Sequence, residues 1–161
     1  MSGDNHASKE TVRRQMRERL HALTLEDRAL RSRVICERVA ELPVWKSARV
    51  ATLFEAMDSE PHITTMIEEL RGRGSEIITI LPSAREHDDI PIVSPVDLVL
   101  LPGLAFTPDG GRLGRGGGFF DRFLAHRVPR AAKVGVCFKF QIVPSLPLEV
   151  HDVKVGVVVS D

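Results

Sequence analysis

Two short apolar runs, Arg49 to Phe54 and Ile77 to Leu81, flank a segment in which Ile63, Met66, Ile67 and Leu70 recur at helical spacing. Strand-length runs that are apolar at consecutive positions, instead of alternate ones, read as strands covered on both faces. A strand, a helix and a second strand in that order leave little topological choice. The crossover is long enough for a helix and right-handed, so the two strands run parallel. Glu60 and Pro61 stand just ahead of the helix, with Pro61 expected in its first turn, Gly72 and Gly74 end it, and Pro82 stops the second strand. Further runs at Val96 to Leu101, Lys133 to Phe138 and Val155 to Val159 extend the pattern. An α/β domain with a mainly parallel sheet of about five strands follows.

The part ahead of the sheet reads as helical. From Ser8, Val12, Met16, Leu20 and Leu23 form an apolar stripe on a helix made basic by Lys9, Arg13, Arg14, Arg17 and Arg19. Thr24 and Asp27 resemble a capping box that opens a second helix, with Leu30, Val34 and Val39 expected inward and Pro43 expected to end it near Trp45. Residues 1–7 read as an unstructured start, residues 83–95 as a polar connecting loop, and residues 1–161 as one domain.

Twenty-two basic residues balance twenty-two acidic ones, so charge provides no case for nucleic acid or a membrane as the main partner. Cys36 and Cys137 are isolated in apolar stretches, where a buried free thiol is the usual state, and no His or Cys spacing suits a metal. A polar N-terminus and apolar runs of only strand length lead to the expectation of a reducing, cytoplasmic-type compartment.

The stretch richest in chemistry follows the third strand. After Asp97-Leu-Val-Leu-Leu-Pro-Gly-Leu-Ala-Phe106 comes a loop with six glycines between Gly110 and Gly118, and then a helix from Phe119 to about His126. Glycines let backbone N–H groups approach an anion unobstructed, and a helix N-terminus adds partial positive charge. Arg112 and Arg115 add fixed charge suited to phosphate oxygens. A carboxylate at Asp121, in the first helical turn, either caps the helix or holds a divalent cation against those oxygens. The loop lacks the Gly-Lys-Ser/Thr of a Walker A loop, and Phe119 stands where a dinucleotide fingerprint needs its third glycine.

Arg112-Leu-Gly-x-Gly-Gly-Gly-Phe-Phe-Asp-Arg-Phe-Leu124 resembles the signature of the 5-formyltetrahydrofolate cyclo-ligase family. The stretch Asp97 to Phe106, Lys9-x-x-Val-Arg13 and Leu146-Pro-x-Glu-x-His-Asp152 match that family in the same order. The resemblance implies a CoA-transferase-like three-layer α/β/α fold and an ATP- and Mg2+-dependent enzyme acting on a reduced folate, as a monomer or weak homodimer. It implies that Gly114, Arg115, Gly116, Gly117 and Gly118 hold the ATP phosphates, with Arg112, Phe119, Phe120 and Asp121 beside them and Lys9 and Arg13 reaching the nucleotide. Without the resemblance, Lys9 and Arg13 are a solvated basic face.

By the same resemblance, Asp121 and Asp152 hold magnesium, and Arg115 and Asp121 carry the catalysis. Glu60 accepts hydrogen bonds from the pterin ring, aided by a helix macrodipole, while Phe54, Glu55 and Met57 line its pocket. A turn at Asp152 and a capping acid at Glu60 are the plain alternatives. The implied reaction passes the γ-phosphoryl group of ATP to the formyl oxygen on N5; N10 then closes the ring and phosphate departs. His151 beside Asp152 is no acid–base pair, because adjacent residues rarely face one another. The family carries a longer segment, with a Gly-x-x-Glu-Pro element, where Ser83 to Pro95 form a short link, and tyrosines where Phe54, Phe119 and Phe120 stand. Two other classes fit the pattern: a non-catalytic nucleotide- or folate-binding relative, and a phosphosugar or CoA-ester enzyme of similar architecture.

Overall fold

The computed structural model describes residues 7–161, so the expected unstructured start lies outside the described residues except for Ala7. Three helices lead: α1 (Lys9–His21), α2 (Leu25–Ala40) and the short α3 (Pro43–Ser47). Ser8 and Thr24 cap α1 and α2 by accepting the N–H groups of Thr11 and Asp27. Pro43 does not end α2, which stops at Ala40; it opens α3, where its missing N–H costs nothing. The inward face of α2 also differs from expectation. Leu30 is exposed and Val34 half-buried, while Ser32, Ile35, Cys36 and Val39 face inward. The helix is rotated so that the Ser32 hydroxyl accepts the His62 N–H at 3.0 Å and the Cys36 thiol meets the His62 carbonyl.

The sheet holds β1 (Val50–Phe54), β2 (Glu76–Ile80), β3 (Leu98–Leu101), β4 (Ala132–Val136) and β5 (Val157–Val159) in the order β2-β1-β3-β4-β5, all parallel. Helix α4 (Thr64–Gly72) crosses from β1 to β2 and α5 (Phe119–His126) precedes β4. Alternate residues feed two cores. Ala51, Leu53, Leu98, Leu100, Val134 and Val136 pack against α1 to α4. On the other face Ile78, Ile80, Val99 and Leu101 pack against Phe123 and Leu124 of α5. Helices on both faces of a parallel sheet make the three-layer α/β fold expected from the apolar runs.

The chain runs from β1 outward to β2 and then returns to the far side of β1 as β3, which makes the β1/β3 junction a switch point. Connections leaving neighbouring strands there diverge, and the crevice between them is where open α/β sheets take ligands. The Asp97 carboxylate closes the opposite end, accepting the N–H groups of Val50 and Arg49; these two bonds hold its pKa below the ordinary carboxylate range.

Candidate functional site

A cleft of about 430 Å3 opens at the carboxyl ends of β1, β2 and β3. Its first wall is the glycine-rich loop, and a small hairpin unforeseen in the sequence makes that loop rigid. Ala105–Phe106 pairs antiparallel with Arg112–Leu113. The turn between them is closed by the Thr107 N–H donating to the Gly111 carbonyl and the Gly111 N–H donating to the Thr107 hydroxyl at 2.8 Å. Gly110 has φ +95, and a Cβ there would stand 2.1 Å from the Val155 carbonyl oxygen, so only glycine fits. Gln141, almost fully buried, donates to the carbonyls of Gly103 and Leu104 and ties the hairpin to the sheet.

The hairpin carries Arg112 inward. Its guanidinium is 5% exposed, lines the cleft, donates to the Pro102 carbonyl at 3.1 Å and lies 5.2 Å from the Phe120 ring centre. Burial weakens its hold on the proton, and the carboxylates of Asp121, Asp152 and Glu60 work the other way. Its Nε has no partner among the described residues. A buried unsatisfied cationic donor at a cavity wall is a ready contact for an anion.

Beyond Arg112 the loop turns through Gly116 (φ +119) and Gly118 (φ +68), then enters α5. Nothing stands within 4 Å of the place a Cβ would take on Gly117. The backbone here is held from both sides. Arg13 donates through Nε to the Gly114 carbonyl at 2.9 Å, and Arg17 reaches the Arg115 carbonyl at 3.3 Å. Arg122 donates to the Gly117 carbonyl at 2.8 Å. Together these arginines engage the carbonyls of Gly114, Arg115 and Gly117.

The second wall comes from the β1–α4 connection. Phe54, Glu55, Met57 and Glu60 line it, with Glu60 only 6% exposed. Helix α4 starts at Thr64, not at Pro61, so Glu60 lies short of the helix and gains no macrodipole support. Its carboxylate is held instead by the Met57 N–H at 2.9 Å and by Arg115, whose Nη2 lies 3.3 Å from Oε1 and 2.8 Å from the Ser59 hydroxyl. Phe119 and Phe120 close the cleft between the walls, edge to face at 5.3 Å.

Lys9, Arg13, Asp121 and Asp152 gather behind the loop and are not cleft-lining residues. Lys9 pairs with Asp152 at 2.7 Å, and the Glu149 N–H donates to the same Oδ2. Donating a hydrogen bond to Asp152 raises the Lys9 pKa; burial favours protonation of Asp152, yet Lys9 and the Glu149 N–H hold its pKa low. Asp121 accepts the Val153 N–H through Oδ1 at 2.9 Å, fixing the segment after Asp152 to α5. Among the described residues no group of three or more His, Cys, Asp or Glu is arranged to hold a metal by itself. His151 is exposed, yet it does approach its neighbour, contrary to the sequence expectation: its Nε2 lies 3.7 Å from Asp152 Oδ1 and its Nδ1 3.5 Å from Glu149.

Three contributors escaped sequence reading. Arg17 shares a helix face with Arg13, a spacing visible in the sequence, but its target was not. Arg122 directly follows Asp121, and its role is to cap a carbonyl five residues back. Ala84, Arg85 and Glu86, from the segment read as a mere link, close the cleft rim; irregular polar segments carry no period that would reveal it.

A cationic glycine loop facing an apolar wall with a buried carboxylate, at the switch point of a parallel sheet, defines an α/β ligand-binding enzyme fold. The sequence model of the 5-formyltetrahydrofolate cyclo-ligase family matches residues 5–94 and 82–161. The chain belongs to that family of enzymes. A 5-formyltetrahydrofolate cyclo-ligase of Mus musculus is 27% identical over 97% of this chain and 95% of its own. The solved 5,10-methenyltetrahydrofolate synthetase of Aquifex aeolicus superposes with a TM-score of 0.79 at 27% identity, covering 94% of this chain and 88% of its own. That of Mycoplasma pneumoniae shares the fold, with a TM-score of 0.80 at 23% identity over 96% and 99% of the two chains.

Proposed function

We propose that this protein cyclises 5-formyltetrahydrofolate to 5,10-methenyltetrahydrofolate with ATP and Mg2+, releasing ADP and phosphate. The observation that carries this reading is the pairing, in one cleft, of a glycine loop flanked by Arg112 and Arg115 with a wall of Phe54, Met57 and Glu60.

The residues suit a nucleotide triphosphate. Arg112 has a buried, unpartnered Nε, and Gly117 leaves open the space that a side chain would fill. Gly114 to Gly118 and Arg115 would hold the phosphates, with Arg13 and Lys9 supporting from behind. Asp121 would hold magnesium, because only its Oδ1 is engaged by a hydrogen bond among the described residues. Asp152 is further committed, to Lys9 and the Glu149 N–H, and would join only by loosening that pair. One or two carboxylates suffice where phosphates supply the remaining oxygens. When bound, Mg·ATP supplies the phosphoryl group that makes the formyl oxygen a leaving group.

The chain's own part is positioning. Glu60 would accept N–H groups of the pterin, and Phe120 and Phe54 would flank the ring. Phe119 and Phe120 exclude water from the space between the walls. Arg115 and Arg112 meet charge that develops on the transferred oxygens. A monomer or weak homodimer would carry out this reaction. Residues 8–161 would act as one unit, and two buried free thiols suit a reducing, cytoplasmic-type compartment. No helix of the described residues is long and apolar enough to cross a membrane.

The test is incubation with 5-formyltetrahydrofolate and Mg·ATP, followed by absorbance of the methenyl product and by ADP release. Product and ADP are expected in equal amounts. Binding of both ligands with neither product formed would leave only a non-catalytic relative.

A further inference from the structure

The short segment that walls the cleft after β2 has almost no structure of its own. Its only regular element is a 3-10 turn, His87–Asp89, immediately after the cleft-lining Ala84, Arg85 and Glu86. Something outside the segment must therefore fix it, and one side chain does so. Arg127, at the end of α5, donates through Nη1 to the His87 carbonyl and through Nη2 to the Ile90 carbonyl at 2.8 Å. Those two carbonyls bracket the turn. Around this clamp the His87 ring stacks on His126 with centres 5.9 Å apart, Ile90 is buried in the α5-side core, and Asp88 lies 3.9 Å from the same guanidinium.

We infer that Arg127 is a positioning residue for the folate half of the site: it sets the Ala84–Glu86 wall without touching the cleft. The inference rests on the folate reading proposed above. Two carbonyl oxygens at a fixed separation match the rigid fork of a guanidinium, which a lysine ammonium cannot reproduce. A wall ordered before the ligand arrives spares the ligand the cost of ordering it, so the clamp acts on affinity and not on the chemical step. Arg127 lies on the opposite end of α5 from the glycine loop, so nucleotide affinity should not depend on it.

Arg127→Ala and Arg127→Lys test this through hydrogen exchange of residues 83–90, equilibrium binding of 5-formyltetrahydrofolate, and steady-state kinetics. In Arg127→Ala, exchange should quicken in 83–90 and stay unchanged in the sheet. The Kd and KM for 5-formyltetrahydrofolate should rise roughly tenfold, with kcat and the KM for ATP within about twofold. Arg127→Lys, which can still reach one carbonyl, should fall between. Unchanged exchange in 83–90 would overturn the inference, as would a loss confined to kcat or a quickening spread over the entire sheet. If the wild type binds 5-formyltetrahydrofolate but forms no methenyl product, the proposed reaction alone fails, and the exchange and binding measurements still decide the role of Arg127.

Discussion

Arg115 of the glycine-rich loop and Glu60 of the β1–α4 connection hold one another across the cleft, at 3.3 Å. The two proposed ligand halves therefore share one ion pair, and each ligand must compete with the other half's residue. Arg115 is about one-third exposed, and the buried Glu60 keeps the Met57 N–H as a partner when Arg115 is lost. Arg115→Ala should leave the melting temperature within a few degrees of wild type while lowering turnover by roughly a hundredfold or more. Thermal melts beside the methenyl absorbance assay check both halves of that statement. An active Arg115→Ala would remove Arg115 from the chemistry.

Asp121 performs a structural task through one oxygen, accepting the Val153 N–H. Asparagine retains that acceptor and loses the charge; alanine loses both. Asp121→Asn should keep the wild-type melting temperature yet lose magnesium-dependent turnover. Asp121→Ala should lose turnover and also about 1 kcal/mol of stability. Equal activity of Asp121→Asn and wild type across a magnesium titration would exclude a role for the charge.

Two glycines of the loop should separate folding from binding. A Cβ on Gly110 meets the Val155 carbonyl at 2.1 Å and demands a positive φ, so Gly110→Ala should cost about 1–3 kcal/mol, read by denaturant melts. Nothing lies within 4 Å of the place a Cβ would take on Gly117, and Gly117→Ala should fold as well as wild type. Its methyl group would stand where phosphate oxygens approach, so the KM for ATP should rise several-fold. The reverse ranking would mean that the open space around Gly117 is not used.

The Lys9–Asp152 pair should leave a pH signature. Asp152 titrates below its ordinary 3.8 in the folded chain, so its contribution is present above that value and is lost as pH falls through the lowered one. Lys9 is raised above 10.5, so its share is lost only in strong alkali. Lys9→Met should destabilise by about 1 kcal/mol near neutrality, and the difference from wild type should vanish as pH falls through the lowered Asp152 pKa. Chemical denaturation at several pH values measures it; a constant difference would rule out a pair that depends on the charge of Asp152.

The layers of the fold were legible because consecutive apolar residues at Val50–Phe54 and Leu98–Leu101 have no other use than a doubly covered strand. The glycine loop was legible because its residue types carry the chemistry themselves. What stayed hidden depended on partners distant in sequence. Glu60 looked like a helix-start acid, and only the fold shows Arg115 taking it up. Lys9 and Asp152 were assigned to different ligands and meet each other. Leu30 had helical spacing in its favour, but the hydrogen bond of Ser32 set the rotation of α2.

Arg13 of α1 holds the loop across a separation of 101 residues, Arg17 does so across 98, and Lys9 meets Asp152 across 143. Helix α1 must therefore wait for segments about a hundred residues or more further along before its charges find their targets. Local helix formation is quick, whereas such late, long-range closure is slow. The anion cradle is then among the contacts that close late, so a ligand that needs the whole cradle would meet the fold only after its local elements have formed.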